Sequence, residues 1–249
     1  MKRLIVNADD LGRAHGINTG VFEAHQRGIV TSATAMVNHE FVREAALMSL
    51  SNPRLGIGLH VALTGGRPAL PPAAIPSLVD AEGRQPARPE GLSGANPRDL
   101  AAEVAAQFAK FVSVFGRRPT HLDSHHHSHR RPEVFEALCA LARLEGLPVR
   151  NAGGAMGGHL KMRALRANDW FEERFFDQGV SVANLVSILD SLPDGSTEMM
   201  CHPAHADAEL AVSSTYAAAR VLELQALCDP AVRDAVERAG IQLMTFSDL

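Results

Sequence analysis

Thr120-His121-Leu122-Asp123-Ser124-His125-His126-His127-Ser128-His129 is the segment around which the chain is organised, and it holds five of the 12 histidines. If Thr120 to His125 forms a strand, side chains alternate between its two faces, so His121, Asp123 and His125 share one side. Imidazole and carboxylate groups on one face are metal ligands. The segment therefore predicts either a built metal site or a solvated His-rich loop that binds metals adventitiously.

Length and composition limit the class of protein. The chain has 249 residues, 46% of them hydrophobic, which is enough for one α/β barrel or two smaller domains. Its formal net charge of −4 gives no basic field that would attract nucleic acid. The run Met1–Asn7 contains too few apolar residues for a signal peptide or a membrane span. We expect a cytoplasmic globular protein with no nucleic-acid partner and no membrane span.

Strand-like apolar runs alternate with helix-like runs along the chain. Strands are predicted at residues 4–6, 29–37, 55–60, 120–125, 148–150, 197–201 and 242–246. Helical periodicity is clearest from Leu100 to Phe115, and further helices are predicted near 41–50, 132–145, 182–192, 213–227 and 230–239. Repeated β-then-α units indicate an α/β fold with about seven parallel strands and helices outside.

Two segments interrupt the alternation. Thr64–Pro97 is rich in proline and glycine and has no sustained period, which indicates a lid or a substrate-contacting insertion. Asn151–Gly158 contains four glycines without the order of a dinucleotide or phosphate fingerprint, and we interpret it as a flexible loop. The alternation resumes after each segment, so residues 1–249 are predicted to form one domain. Three cysteines without CxxC spacing predict reduced thiols, mostly in the core.

Chemically active side chains recur where the predicted strands end. Asp9 and Asp10 follow the first strand, His60 ends the third, His125 ends the fourth and His202 follows the sixth. The carboxyl ends of parallel strands gather at one rim, so these side chains are expected to meet there. One carboxylate with two imidazoles leaves coordination positions open, as in a catalytic metal site. Zinc, Mg²⁺ and other divalent ions all remain candidates. A second carboxylate could take a proton from an activated water.

Five sequence blocks resemble the YdjC-like carbohydrate deacetylases, which include the bacterial chitooligosaccharide (diacetylchitobiose) deacetylases. The blocks are Ile5–Gly12 (IVNADDLG), Gly28–Ser32 (GIVTS), Gly58–His60 (GLH), Arg118–His127 (RPTHLDSHHH) and Met200–Ala204 (MCHPA). The resemblance implies a deformed (β/α) TIM-like barrel, often a homodimer. It further implies removal of acetyl groups from N-acetylated amino sugars with one divalent metal ion, Mg or Zn.

The resemblance also implies roles for single residues. It makes Asp10, His60 and His125 the metal ligands and Asp9 the general base. His202 matches a late His-Pro block and would protonate the leaving amine or stabilise the oxyanion. The other polar side chains of the His-rich segment would hydrogen-bond the ligands or face the substrate. They are His121, Asp123, His127 and His129.

Two other functions compete with amide hydrolysis. A non-haem Fe(II) oxygenase also uses two histidines and a carboxylate, and His121-Leu122-Asp123 with His202 imitates its pattern. That enzyme class requires an all-β jelly roll, which the helical periodicity opposes. A non-catalytic metal- or carbohydrate-binding protein would not require Asp9 beside Asp10.

Overall fold

The computed structural model describes the backbone of residues 1–249 and every side chain except those of Glu209 and Ser213. Seven strands lie within this described backbone: β1 Lys2–Leu11, β2 Ser32–Ala35, β3 Gly56–Val61, β4 Leu122–Ser124, β5 Trp170–Glu172, β6 Gly195–Cys201 and β7 Gln242–Leu243. Their order is β4-β3-β2-β1-β6-β5, with β7 paired to β1, and every pair is parallel. The predicted α/β architecture with about seven parallel strands is confirmed.

Helices surround this sheet. They are α1 His15–Arg27, α2 Val42–Leu50, α3 Pro97–Phe115, α4 Pro132–Glu145, α5 Met156–Met162, α6 Val182–Asp190, α7 Ala208–Ser213, α8 Ala217–Leu227 and α9 Pro230–Arg238. Capping residues and glycines set the ends of these helices. The Asn96 side chain caps the first turn of α3, and Gly116 and Gly146 take left-handed conformations after α3 and α4. Neighbouring helices pack in the pairs α3–α4, α6–α9 and α1–α8.

The sheet curls until its two edge strands approach one another. Between β4 and β5 lies the segment 148–151, in which Val149 forms a single parallel bridge with Leu122. The Val149 amide donates to the carbonyl oxygen of Arg166 at 2.9 Å, and the Asn151 amide donates to the Asn168 side chain at 2.8 Å. The result is the deformed, TIM-like barrel that the resemblance implies. The predicted fifth strand at 148–150 is reduced to this one bridge.

The buried first strand confirms the apolar interpretation of the N-terminus. Leu4, Ile5 and Val6 have no exposed surface. A parallel strand covered on both faces needs such a continuous aliphatic run. Gly58 in β3 permits close approach by a neighbour, because a Cβ there would stand 2.5 Å from the His121 ring. Cys139, Cys201 and Cys228 are free thiols, the first two of them buried.

Several further predicted segments differ in the structure, among them the strands at 120–125 and 242–246, which shorten to β4 and β7. The helix expected at 213–227 is two helices, α7 and α8, separated at Ser214–Tyr216. The Gly-rich segment 151–158 is not a loop throughout, because α5 begins at Met156 and buries Leu160 against the core. The second strand is shorter than predicted and spans only Ser32–Ala35. The periodicity of apolar residues indicates which residues are buried. Loop residues that pack against the core are buried as well, so this periodicity does not mark where a helix or strand ends.

The Pro/Gly-rich segment 64–97 folds against α3 through three short 3₁₀ turns, Pro72–Ala74, Pro76–Leu78 and Pro89–Leu92. The buried Glu103 carboxylate accepts the amides of Ala69 at 2.7 Å and Leu70 at 3.0 Å. Gln107 of α3 and Gln85 of this segment both donate to the Ala62 carbonyl, at 2.7 and 2.8 Å. These contacts satisfy backbone groups that no sheet or helix pairs, so the segment has a defined position beside the barrel rim.

The fold bears on two expectations from the sequence, the oxygenase alternative and the expected lack of a membrane span. A parallel sheet surrounded by helices is not the all-β jelly roll that a non-haem Fe(II) oxygenase requires, and that alternative is wrong. No helix among the described residues combines the length and apolarity needed to cross a membrane.

Substitution at Gly20 tests how closely α1 packs on the loop after β6. An alanine Cβ at Gly20 would overlap the backbone of Ala204, which cannot move aside as a flexible side chain can. We expect Gly20→Ala to lower the free energy of unfolding by about 1–3 kcal/mol, exceeding the gain in helix propensity. Urea denaturation measures the change.

Gly158→Ala is the matched control, because Gly158 also lies in a helix but has nothing within 4 Å of an added Cβ. It should leave stability unchanged or raise it by about 0.5–1 kcal/mol. Equal effects of the two substitutions would contradict the packing described for α1.

Candidate metal centre and catalytic cleft

A bulge in β1 turns two adjacent carboxylates towards the same cavity. Neighbouring side chains of a regular strand point to opposite faces. The pairing of β1 with β2 shifts register between Ala8 and Leu11, and Asp10 has a left-handed φ of 70°. Both Asp9 and Asp10 consequently line one cleft of about 690 Å³ at the carboxyl rim of the barrel. Aspartate tolerates this conformation better than bulky or β-branched residues do.

Asp10, His60 and His125 form a compact triangle of buried side chains, which we call the candidate metal centre. One ligand atom from each residue lies within 4.8 Å of the other two. Asp10 Oδ1 is 3.0 Å from His125 Nδ1 and 3.6 Å from His60 Nε2. The structure thus brings together side chains from β1, β3 and the segment after β4, as the argument from strand ends predicted.

The donor set fits a divalent cation. Asp10 Oδ1 is buried, and within the described part of the chain no donor makes an acceptable hydrogen bond to it. A buried carboxylate oxygen in that state is costly unless a cation or another donor reaches it. Asp10 Oδ2 is held by the Arg220 guanidinium, so Oδ1 is the atom free to act as a ligand. Two imidazoles and one carboxylate would leave positions for water and substrate.

Asp123 orients His60 from the side away from Asp10. Asp123 Oδ1 lies 2.7 Å from His60 Nδ1, and the Thr34 hydroxyl lies 3.1 Å from Asp123 Oδ2. Burial alone would lower the pKa of His60, but the carboxylates of Asp123 and Asp9 outweigh it and raise the pKa to about 9. A ligating histidine with a carboxylate on its second nitrogen is a common metal-site arrangement. A cation at Nε2 would have to displace the proton there.

His125 is held by an unusual turn. His126 and His127, directly after it, both have left-handed φ angles, 54° and 48°. The His126 ring packs on the His125 ring at 3.8 Å, and the Thr64 hydroxyl lies 3.0 Å from His126 Nδ1. Burial lowers the pKa of His125, which favours the neutral ring that a ligand requires. Consecutive non-glycine residues in this conformation are strained, and such strain concentrates at functional sites.

Asp9 is bound by the fully buried Arg150. The guanidinium donates to Asp9 Oδ1 at 2.7 Å and to Oδ2 at 2.8 Å, and the Asn7 amide donates to Oδ1 at 2.8 Å. Burial would raise the pKa of Asp9, but the charge and hydrogen bonds of Arg150 hold it far below its usual value. Asp9 therefore stays ionised, and Oδ2 has fewer hydrogen-bond donors than Oδ1.

Arg150 also contacts two other buried carboxyl groups. Its Nη1 is 2.9 Å from Asp123 Oδ2, and its Nε donates to Glu198 Oε1 at 2.7 Å. Burial raises the pKa of Glu198 to about 8 despite the nearby guanidinium. The same contacts raise the pKa of Arg150, which would otherwise fall on burial. One cation thus positions the neighbours of the candidate metal centre.

His202 lies at the same cleft with a separate set of partners. The buried Glu223 carboxylate accepts the His202 amide and lies 3.6 Å from the ring Nδ1. Phe176 and Tyr216 stack on one another at 4.5 Å and meet the His202 ring edge-on at 5.4 and 5.8 Å. The Tyr216 hydroxyl donates to Glu223 at 2.7 Å. The imidazole is therefore held between a carboxylate and an aromatic pair.

The remaining histidines of the His-rich segment have different positions. His127 lines the cleft, whereas His121 stacks on Phe246 at 3.7 Å and does not line it. His129 lies 2.5 Å from the Ser124 hydroxyl through Nδ1, away from the triangle. The structure thus brings Asp123 and His127 to the candidate centre or the cleft, but leaves His121 and His129 outside both.

Sequence reasoning missed four charged residues of this site: Arg150, Glu198, Arg220 and Glu223. Each lies inside a segment assigned only as strand or helix. Their buried charges within apolar runs were the available signal, because charged residues are almost never fully buried unless paired. The Pro/Gly-rich segment also reaches the cleft, through Arg88, Pro89 and Glu90.

The fold and the site define a class: α/β barrels with a buried Asp-His-His triangle and an adjacent carboxylate at the carboxyl rim. The sequence profile described as YdjC-like protein matches residues 3–238. The chain belongs to the YdjC-like family.

Named relatives cover nearly the whole chain. A carbohydrate deacetylase from Geobacillus stearothermophilus is 42% identical over 98% of this chain and 96% of its own length. A chitooligosaccharide deacetylase from Yersinia enterocolitica is 39% identical over 99% of both chains. A crystal structure of a proposed cellobiose-phosphate cleavage protein from Enterococcus faecalis V583 superposes with a TM-score of 0.94 at 35% identity, covering 99% of this chain and 98% of that one.

Replacing Arg150 tests the charge cluster. Arg150→Met leaves Asp9 buried without its cation, and we expect a loss of about 3–5 kcal/mol in the free energy of unfolding at pH 7. In the variant, burial raises the pKa of Asp9 above its unfolded value, so stability falls as pH rises. In the parent protein the pKa of Asp9 is lowered, so Asp9 stabilises the fold at pH values above the pKa that it has in the unfolded chain. The difference between the proteins should therefore be larger at pH 7 than at pH 5 in urea denaturation.

Arg84→Met is the control for this measurement. Arg84 also contacts two carboxylates, Asp80 and Glu82, but its side chain is 59% exposed. Its loss should cost under about 1 kcal/mol at both pH values. A pH-independent loss in Arg150→Met would contradict the inference that Arg150 compensates the buried carboxylates it contacts.

Proposed function

We propose that this chain is a metal-dependent hydrolase that removes an acetyl group from an N-acetylated amino sugar, such as a chitooligosaccharide or an N-acetylglucosamine-containing glycoconjugate. The observation that carries the proposal is the buried Asp10-His60-His125 triangle with the ionised Asp9 beside it in an open cleft. Two relatives that share about two fifths of the residues over nearly full length are named as carbohydrate and chitooligosaccharide deacetylases.

Asp10, His60 and His125 would hold one divalent ion, Mg or Zn. Imidazole ligands favour zinc over Mg²⁺ on ligand preference. A bound divalent ion supplies two effects: it polarises the acetyl carbonyl and lowers the pKa of water. Arg220 and Asp123 keep the ligand atoms in place by holding Asp10 Oδ2 and His60 Nδ1.

Asp9 acts as the general base in this proposal. The carboxylate must accept the proton that the attacking water loses. Arg150 keeps it ionised across the working pH range, and the crowding of donors at Oδ1 makes Oδ2 the accepting atom. Arg150 also fixes the direction of the carboxylate, which supports a short and well-aligned proton transfer.

His202 supplies an N–H group on the same cleft. It donates a proton to the leaving amine or a hydrogen bond to the oxyanion, and both roles require a positioned ring. Glu223 and the stacked Phe176 and Tyr216 provide that positioning. His127 would face the substrate, since it lines the cleft and, among the described residues, its buried Nδ1 has no hydrogen-bond partner.

The proposal extends to the protein as a whole. We infer one deacetylase domain over residues 1–249 in which the segment 64–97 contributes to substrate selection, because Arg88, Pro89 and Glu90 line the cleft. The family resemblance supports a homodimer. Light scattering on the purified protein tests the dimer.

Acetate release tests the reaction and separates base from ligands. Protein loaded with Zn²⁺ or Mg²⁺ should release acetate from diacetylchitobiose or a related N-acetylated sugar. Asp9→Asn should lower kcat by about 10²–10⁴-fold while the bound metal per chain is unchanged. Asp10→Asn and His125→Ala should lower both, because they remove ligands. Coupled acetate assays and elemental analysis provide the two readouts.

Asp234→Asn and His15→Ala, which change exposed side chains outside the cleft, are the controls. Full metal binding without acetate from any sugar in a broad panel would instead indicate a non-catalytic metal- or carbohydrate-binding protein. Unchanged turnover in Asp9→Asn would remove the base assignment.

The role of His202 has its own test. His202→Ala should lower kcat by about 10²–10⁴-fold without changing metal content, because its ring contacts none of the three proposed ligands. A substrate with a good leaving group distinguishes the two roles. Activity on an activated acetyl ester should be largely retained if His202 protonates the amine, and lost if it stabilises the oxyanion. Wild-type rates in the variant on both substrates would contradict either role.

A further inference from the structure

A second cavity lies next to the catalytic cleft at the same rim of the barrel. It measures about 830 Å³, and it lies between the start of α4, the turn before α5 and the end of β5. Glu173, directly after β5, lines both this cavity and the catalytic cleft. The two cavities are therefore adjacent, and a ligand longer than one sugar unit could pass from one to the other.

The wall between the cavities has a defined position. Arg130 donates to Glu173 at 2.7 Å and to the Ala152 carbonyl at 2.8 Å. Phe171, which also lines the second cavity, meets the edge of the His127 ring at 5.4 Å. Because His127 lines the catalytic cleft, these contacts join the two surfaces through fixed side chains.

The lining of the second cavity suits a carbohydrate. Phe135, Phe171 and Met156 give it apolar surface, and Arg163 pairs with Glu136 while its guanidinium lies 5.2 Å from the Phe135 ring centre. A pyranose ring has the matching character, with apolar C–H faces and hydroxyl groups at its edge. Sites with mainly apolar walls and a few placed polar groups bind such molecules.

We propose that the second cavity binds the sugar units of an N-acetylated oligosaccharide that lie beyond the unit being deacetylated, an inference that rests on the proposed function. The catalytic cleft holds the reacting acetamido group of the oligosaccharide. The remaining sugar units extend past Glu173 onto Phe171 and Phe135. Binding energy from these distant units makes longer oligosaccharides better substrates.

Filling the cavity tests the proposal. Ala155 is an exposed residue of the cavity lining, outside the proposed ligands and catalytic residues, so Ala155→Trp adds bulk without removing a buried contact. We expect kcat/KM for the tri- and tetrasaccharides of N-acetylglucosamine to fall about tenfold, mainly through KM, with the monosaccharide unchanged. Arg163→Ala should act in the same direction without adding bulk. Ala101→Trp, on the exposed face of α3, is the matched control.

Two results would overturn the proposal, and they differ from a failure of the proposed function. If parent kcat/KM is the same for one to four sugar units and Ala155→Trp leaves it unchanged, the second cavity has no such role and the deacetylase proposal stands. If Ala155→Trp lowers the monosaccharide rate as much as the tetrasaccharide rate, the substitution disturbs the catalytic cleft and the chain-length role is wrong. If no sugar releases acetate in any variant, the deacetylase proposal fails and this inference fails with it.

Discussion

The buried guanidinium of Arg150 is the interaction on which the rest of the site depends. It contacts carboxyl groups from three strands, Asp9 in β1, Asp123 in β4 and Glu198 in β6. Removing one member of a buried ion cluster leaves the others uncompensated, so the cluster is stable only when complete. Arg150 belongs to the segment that joins the two edges of the sheet. The contacts that close the barrel therefore also position the Asp9 carboxylate.

Three sequence rules recover much of the fold and the core of the site. Buried strands are short and aliphatic, helices begin at Asn96-Pro97 or Pro132 and end at glycine, and parallel strands present their carboxyl ends at one rim. The third rule alone places Asp10, His60 and His125 at one rim, where the structure brings them together. It needs no knowledge of which strands are neighbours, because every strand end reaches the rim.

The partners of those residues could not be predicted in the same way. Arg150 lies 141 residues from Asp9, and Arg220 lies 210 residues from Asp10. Local periodicity carries no information about which distant charges pair, since a buried arginine in a strand and an exposed one have the same sequence neighbours. The break at Ser214–Tyr216 was missed for a related reason: tertiary contacts of Tyr216 with Glu223 and Asp177 replace the helix that periodicity favoured.

The left-handed residue in β1 has a consequence for any attempt to move this centre to another protein. A straight strand can present Asp9 or Asp10 inwards, but alternation sends the other outwards. Copying the Asp-His-His side chains onto a regular barrel would therefore transfer the candidate ligands but lose the adjacent carboxylate of Asp9. What must be grafted is the bent backbone from Ala8 to Leu11, with its one-residue slip against β2. This arrangement of side chains depends on the bent backbone of β1 as well as on the sequence motif.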